Sequence, residues 1–232
     1  MTPENSTLLA SLDQLIAQYH LLKHPFYQAW TEGTLPRETL ALYAEQYYQH
    51  VRAFPKNLTR LAARCDGPLE DLVADNLAEE LDPIAPHPQL WRQFAAAVGA
   101  DDSRLDNAKP LPGIADLLAT FRDISERGPL SQAVAAFYVY EAQVPEISGE
   151  KIAGLRKFYG IDQPAALAYF AVHQEADVRH RDAWRTWLAQ EAIDLNEAEI
   201  TAGAERVLQA LWGALDAVYP QGCAMSQKPG LN

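Results

Sequence analysis

AVHQEADVRHRDAW, residues 171–184, reads as the middle of a long helix running from Pro164 to about Gln190 behind Asp162. Polar and apolar residues do not alternate in it as a strand would require; apolar side chains recur at three- and four-residue intervals instead. The same periodicity extends outward in both directions. A first helix is expected from about Ser6 to His20, with Leu8, Leu12, Leu15, Ile16 and Tyr19 on one side and Ser6 as its N-cap. A second opens at Thr34-Leu35-Pro36, where proline suits the first helical position, and passes Tyr43, Tyr47 and Tyr48 before Pro55 kinks or ends it. Further helices are predicted from Pro68 to about Leu81, Pro88 to Val98, Ile114 to about Glu126, and Leu130 to about Val144. Beyond Ser148 come a short helix to about Tyr159, the long one, and a last one behind a capping box at Asp194-Leu195-Asn196-Glu197. The fold class is all-α: one compact bundle of seven to nine helices over residues 1–219, with a frayed tail at 220–232.

Within the long helix, His173, Asp177 and His180 stand at i, i+4 and i+7, which brings all three onto one face over two turns. Two imidazoles and a carboxylate on one stripe are donors that divalent iron or manganese accepts. A polar surface ridge would look the same, since Glu175, Arg179, Arg181 and Asp182 share the segment. The stretch alone leaves both readings open.

Two other stretches bear on the choice. In AFYVYEAQVPEIS, Glu141 ends an otherwise apolar run, and a carboxylate placed there needs a cation or an arginine partner once buried. In NLAEELDPIAPHPQLW, the prolines Pro83, Pro86 and Pro88 end the helix near Leu81 and hold the chain extended around His87, with Glu80 upstream. Spacing does not separate Glu80 from Glu79. Taken together, Glu80, His87, Glu141, His173, Asp177 and His180 supply three carboxylates and three imidazoles. That is enough to surround two divalent cations, with three negative charges offsetting most of theirs. Neither the paired Glu-x-x-His of ferritin-like bundles nor the His-Glu-x-x-His zinc protease signature is present.

Composition narrows the rest. With 19 Lys+Arg against 31 Asp+Glu in 232 residues, the net charge of −12 argues against nucleic acid and anionic membrane as partners. No stretch approaches the roughly 18 uninterrupted apolar residues of a membrane span, and the N-terminus lacks a signal-peptide pattern. Two cysteines, Cys65 and Cys223, form no metal motif and no disulfide scaffold, so a cytoplasmic protein is expected. His20, His24 and His50 are read as satisfied by hydrogen bonds and stay outside the metal set; Tyr43, Tyr47 and Tyr48 are read as lining the core or a cavity.

The stretches LLKHPFYQAW, LAEELDPIAPHPQLW, YVYEAQVPEI and HQEADVRHRDAW together resemble the heme-oxygenase-like di-metal oxidase superfamily. The resemblance is to its para-aminobenzoate synthase branch, which includes a chlamydial protein associating with death domains. It implies a heme-oxygenase-like bundle and a dinuclear site of two iron ions, or one manganese and one iron. The ligands carry over onto Glu80, His87, Glu141, His173, Asp177 and His180. It further implies an O₂-activating oxidase, fed by an external reductant, that makes para-aminobenzoate for folate synthesis by cutting up its own tyrosine. Tyr27 of HPFY would be the ring source, Tyr140 of VYE a second site phenol, and Lys151 of SGEKI the amino donor. Alternatives are a related oxygenase acting on an external amino acid or fatty acid, a metal-free relative of pyrroloquinoline-quinone synthase or thiaminase, and a protein-interaction module. A homodimer is expected from fold analogy alone.

Overall fold

A computed structural model of the chain describes residues 3–191 and 196–219. Among the described residues there are eleven α-helices and one 3-10 turn, and no strand. The helices are α1 (Pro3–Gln18), α2 (Pro25–Glu32), α3 (Arg37–Ala62), α4 (Gly67–Glu80), α5 (His87–Ala97) and α6 (Asp102–Asn107). They continue with α7 (Pro112–Arg127), α8 (Leu130–Glu141), α9 (Val144–Tyr159), α10 (Pro164–Glu191) and α11 (Glu197–Val218). Setting aside the short α2 and α6 leaves the nine helices read from the sequence, in an all-α bundle. No described helix is long and apolar enough to cross a membrane.

The bundle is organised around α8. Every residue from Ala133 to Glu141 is buried, as expected for a helix that is apolar all round and so belongs in an interior. It packs against α10 on one side and α11 on another, while α3 reaches α4, α5 and α7. Trp30, Trp91 and Trp184 are fully buried among these helices.

Local chemistry accounts for the differences from the expected boundaries. Helix α1 begins at Pro3, so Ser6 lies inside it and is not its N-cap. Helix α3 runs through Pro55 to Ala62. The proline removes one helical N–H, but Val51, Phe54, Leu58 and Leu61 are buried on both sides of it and hold the helix together. The run predicted as one helix to Val144 stops at Glu141, and α9 starts at Val144 because Pro145 suits a first turn and not an interior. Gln143 fills the break, its amide oxygen accepting from Leu21 N at 2.9 Å and its nitrogen donating to Val139 O at 2.9 Å.

Helices α2 and α6 escape sequence reading for different reasons. His24 caps α2, its Nδ1 accepting from Phe26 N at 3.0 Å, and histidine is not a usual cap signal. Helix α6 has an ordinary one, Asp101 accepting from Ser103 N at 2.9 Å, but is only six residues long. Helix α11 starts behind Asn196, which makes no side-chain capping bond; Asp194 and Leu195 of the expected capping box, and the tail at 220–232, lie outside the described residues.

Helix α9 closes on α2 only because residue 154 has no side chain. A Cβ on Gly154 would lie 2.6 Å from Trp30 Cδ1, and the Trp30 indole donates to the Lys151 carbonyl at 3.3 Å. This approach sets Lys151 against α2. Gly154→Ala should therefore lower stability by about 1–3 kcal/mol through overpacking, read as a reduced urea midpoint with an unchanged slope; a midpoint equal to the parent's would show that α9 is free to move away.

Candidate metal centre

Four segments bring the six predicted donors inside. Glu80 ends α4, His87 opens α5 after the proline-rich turn, Glu141 ends α8, and His173, Asp177 and His180 project from α10. All six are buried. They form two trios, Glu80-His87-His173 and Glu141-Asp177-His180, whose donor atoms lie within 4.8 Å of one another in each. The helix sets the neighbouring glutamates apart: Glu80 is buried, whereas Glu79 faces outward and pairs with Arg179 at 2.9 Å.

In the first trio His87 Nδ1 is 3.0 Å from Glu80 Oε1, and His173 Nε2 is 3.9 Å from the same oxygen. His173 Nδ1 is anchored 2.6 Å from the Tyr169 carbonyl one turn earlier, which leaves Nε2 free to ligate. In the second trio His180 Nδ1 is 3.3 Å from Asp177 Oδ1 and 3.9 Å from Glu141 Oε2. Both oxygens of Glu141 are fixed, one by Asn76 Nδ2 at 2.9 Å and the other by the Trp184 indole at 2.5 Å. Members of both trios, Glu80, His173, Glu141 and Asp177, line a single small cavity of about 10 Å³, the room of about one water-sized molecule.

Electrostatics shows what the site lacks without a cation. Burial raises the Asp177 carboxyl well above its ordinary range, with Glu80 adding to the effect. Burial likewise pushes Glu141 up to about 8, helped by Asp177. Burial drives His173 well below the usual imidazole value, and the neighbouring His87 adds to this. For His87 burial pulls the pKa down, but the hydrogen bond and charge of Glu80 outweigh it and the net shift is upward. Asp177 Oδ2 is buried with no hydrogen-bond partner. Crowded carboxylates, imidazoles among them and an orphaned oxygen are the donor set that a pair of divalent cations would satisfy. The residues present fit such a centre.

Beside the cavity stands a row of phenols. Tyr140 OH is 3.3 Å from Tyr47 OH, the Tyr47 ring stacks on Tyr43 with centroids 5.2 Å apart, and Tyr43 OH is 3.4 Å from Tyr27 OH. Lys151, buried, donates to Tyr43 OH at 2.9 Å and lies 5.4 Å from the Tyr27 ring centroid. It lies in an aromatic nest of Tyr27, Tyr43, Tyr47, Trp91 and Phe170, and among the described residues it makes no ion pair. Burial alone lowers its pKa to about 7, so a large part of it is neutral near neutral pH. Burial raises Tyr27, with Tyr47 adding to the effect, so its phenol stays protonated.

Three residues of the site went unread in the sequence. Asn76 and Trp184 lie one helical turn from Glu80 and His180, a spacing that could have pointed to them. His50 was expected to be satisfied by hydrogen bonds, and it is not: both ring nitrogens are buried without a partner, and the ring lines the cavity among Tyr47, Phe121 and Tyr140. Burial pushes its pKa down to about 3, which keeps it neutral. His24, in contrast, is paired through Nε2 with Asp216 at 3.2 Å, and His20 faces Glu146 at 3.3 Å.

Comparison with known proteins agrees with this geometry. The chain is 40% identical over 232 residues to a 4-aminobenzoate synthase of Nitrosomonas europaea, covering 94% of each protein. It is 36% identical over 219 residues to a 4-aminobenzoate synthase of Chlamydia trachomatis, again covering 94% of each. Among solved structures, a domain of unknown function with a heme oxygenase-like fold from Shewanella denitrificans superimposes with a TM-score of 0.76 at 19% identity, covering 97% of this chain and 98% of that one. Residues 41–212, which hold all six donors, match the family described as iron-containing redox enzymes, and the chain belongs to that family.

Proposed function

We propose that this protein is a di-metal 4-aminobenzoate synthase that activates O₂ and draws the product ring from its own Tyr27. The observation that carries the reading is the contact of three groups: an amine held largely neutral, a phenol, and a second phenol bridging them, set beside two trios of cation ligands. The relatives named as 4-aminobenzoate synthases support the product, and the family supports iron. Glu80, His87 and His173 would hold one cation, and Glu141, Asp177 and His180 the other, as Fe/Fe or Mn/Fe. Bound and reduced by an external donor, such a pair would supply the electrons that activate O₂ as the oxidant.

The remaining work falls to the chain's own residues. Tyr27 already carries the para-substituted ring that the product needs. Tyr43 bridges the Tyr27 hydroxyl and the Lys151 amine, so ring and nitrogen are held beside each other in the buried interior. Lys151 attacks only as the free amine, and its desolvation among aromatic faces supplies that form near neutral pH. Tyr140, at the cavity wall, and Tyr47 link this nest to the ligands. Every phenol in the row is buried, and burial raises the pKa of each, so all four keep their hydroxyl hydrogens in the resting protein. A cytoplasmic setting fits folate precursor supply, and O₂ with the internal tyrosine would be the reactants.

Incubation of the purified protein with iron, or iron and manganese, O₂ and a reductant should yield 4-aminobenzoate together with a mass loss mapped to Tyr27. Tyr27→Phe should make none; undiminished product from it would place the substrate outside the chain, as in a related oxygenase of external amino or fatty acids. Glu141→Ala and His173→Ala should each bind fewer than the parent's two metal equivalents, since each removes a donor of one trio, and full occupancy in both variants would overturn the ligand assignment.

Lys151 also makes stability depend on pH. Its folded pKa of about 7 lies below the unfolded value of 10.5, so between these the unfolded chain binds more protons and stability rises with pH. Urea unfolding should show this rise between about pH 7 and 10.5, amounting to a few kcal/mol at most. Lys151→Met should flatten it and be more stable than the parent at pH 7; an unchanged slope would mean that the amine is solvated.

A further inference from the structure

His173 and His180 are held in opposite ways. His173 turns Nε2 toward Glu80 because its Nδ1 is tied to a buried backbone carbonyl of its own helix. His180 is reversed: Nδ1 faces Asp177 and Glu141, and Nε2 points outward. That outward nitrogen is buried and has no hydrogen-bond partner. The acceptor within reach is Glu79, whose Oε1 lies 3.5 Å away, a separation that a small closing movement turns into a hydrogen bond. Glu79 is itself held, because both its oxygens accept from one Arg179 nitrogen at 2.9 Å.

The arrangement follows from two consecutive pairs. Glu80 and His180 face inward, and the residue before each, Glu79 and Arg179, meets its counterpart outside. Two surface grooves flank this ion pair, one reaching His180 and the other His87, and both include Glu79 and Arg179 in their walls. An imidazole that ligates through one nitrogen carries its proton on the other, and the acceptor of that proton fixes the ring's tautomer and angle.

We propose that Glu79 is a positioning residue of the second cation site, accepting the His180 Nε2–H and so committing His180 to ligate through Nδ1, with Arg179 holding the carboxylate in place. The inference rests on the dinuclear reading above and goes beyond it, because it makes the two sites unequal. Of the first site's two histidines, His173 is anchored by backbone, which salt does not touch. In the second site, His180 is anchored by an ion pair whose side chains are 37% and 61% exposed for Glu79 and Arg179, a pairing that salt screens.

Titration of the metal-stripped full chain with Mn²⁺, following free ion by electron paramagnetic resonance, tests this without any turnover. The parent should bind two equivalents, and Glu79→Gln should weaken one of them about 10–100-fold while leaving the other unchanged. Arg179→Gln should weaken the same equivalent less, Glu79→Asp should recover part of it, and His180→Ala should abolish it. Raised ionic strength should loosen that equivalent in the parent and have no further effect in Glu79→Gln. Equal weakening of both equivalents, with a lowered metal-free unfolding midpoint, would mean a general structural loss and overturn the proposal, as would two unaltered equivalents in Glu79→Gln. A parent that binds fewer than two equivalents would instead overturn the dinuclear reading on which it rests.

Discussion

The burial of Glu80, Glu141 and Asp177 side by side in an apolar bundle is the constraint on which the rest of this structure depends. Burial penalises their charged forms, Glu80 raises Asp177 and Asp177 raises Glu141, and the opposing pull of His87 and Arg179 on Asp177 does not reverse the shift. The cationic side chain nearest in sequence, Arg179, is spent on Glu79 at the surface. Lys151, the buried amine, is hydrogen-bonded to a phenol instead. Divalent cations are what this donor set would accept, so a bound pair would relieve the same crowding that raises these carboxyls.

The helical frame supplies the donors from rigid positions. Glu141 is deep because α8 is buried on all sides, and it is precisely placed because Asn76 and Trp184 take one oxygen each. Those two partners come from α4 and α10, the helices that also carry Glu80 and the three α10 donors. One candidate ligand therefore ties together the helices that bear four of the other candidates. The break after Glu141 belongs to the same design: Gln143 bridges it to Leu21, and α9 then runs back past α2, where Gly154 lets Trp30 come close and Lys151 reach the Tyr43 hydroxyl.

Periodicity made much of this legible. Nine helices were readable because amphipathic and apolar runs announce themselves over three or more turns, and His173, Asp177 and His180 because a helix puts i, i+4 and i+7 together. Glu80 and His87 could be named but not separated from Glu79, since a position at a helix end can face either way until packing decides. Helix α2 was missed because its cap is a histidine, and the passage of α3 through Pro55 because tertiary burial outweighed one lost hydrogen bond. His50 was misjudged for a deeper reason: whether a buried imidazole finds a partner depends on neighbours from other helices, here mostly aromatic rings.

Aromatic surroundings give the two halves of the site opposite characters. Around the two trios, ionisable donors are concentrated and a cation would be accepted; at the far end of the row of phenols, Lys151 sits where charge is penalised and its ammonium form is disfavoured. A carboxylate beside Lys151 would have restored the ammonium. The row from Tyr140 through Tyr47 and Tyr43 to Tyr27 joins these regions with groups that are polar enough to hydrogen-bond yet neutral while protonated. Tyrosine is thus suited to the space between a cation centre and an uncharged amine: carboxylates there would repel one another and hold the lysine charged, and purely apolar side chains would leave Lys151 and the Tyr27 hydroxyl without partners.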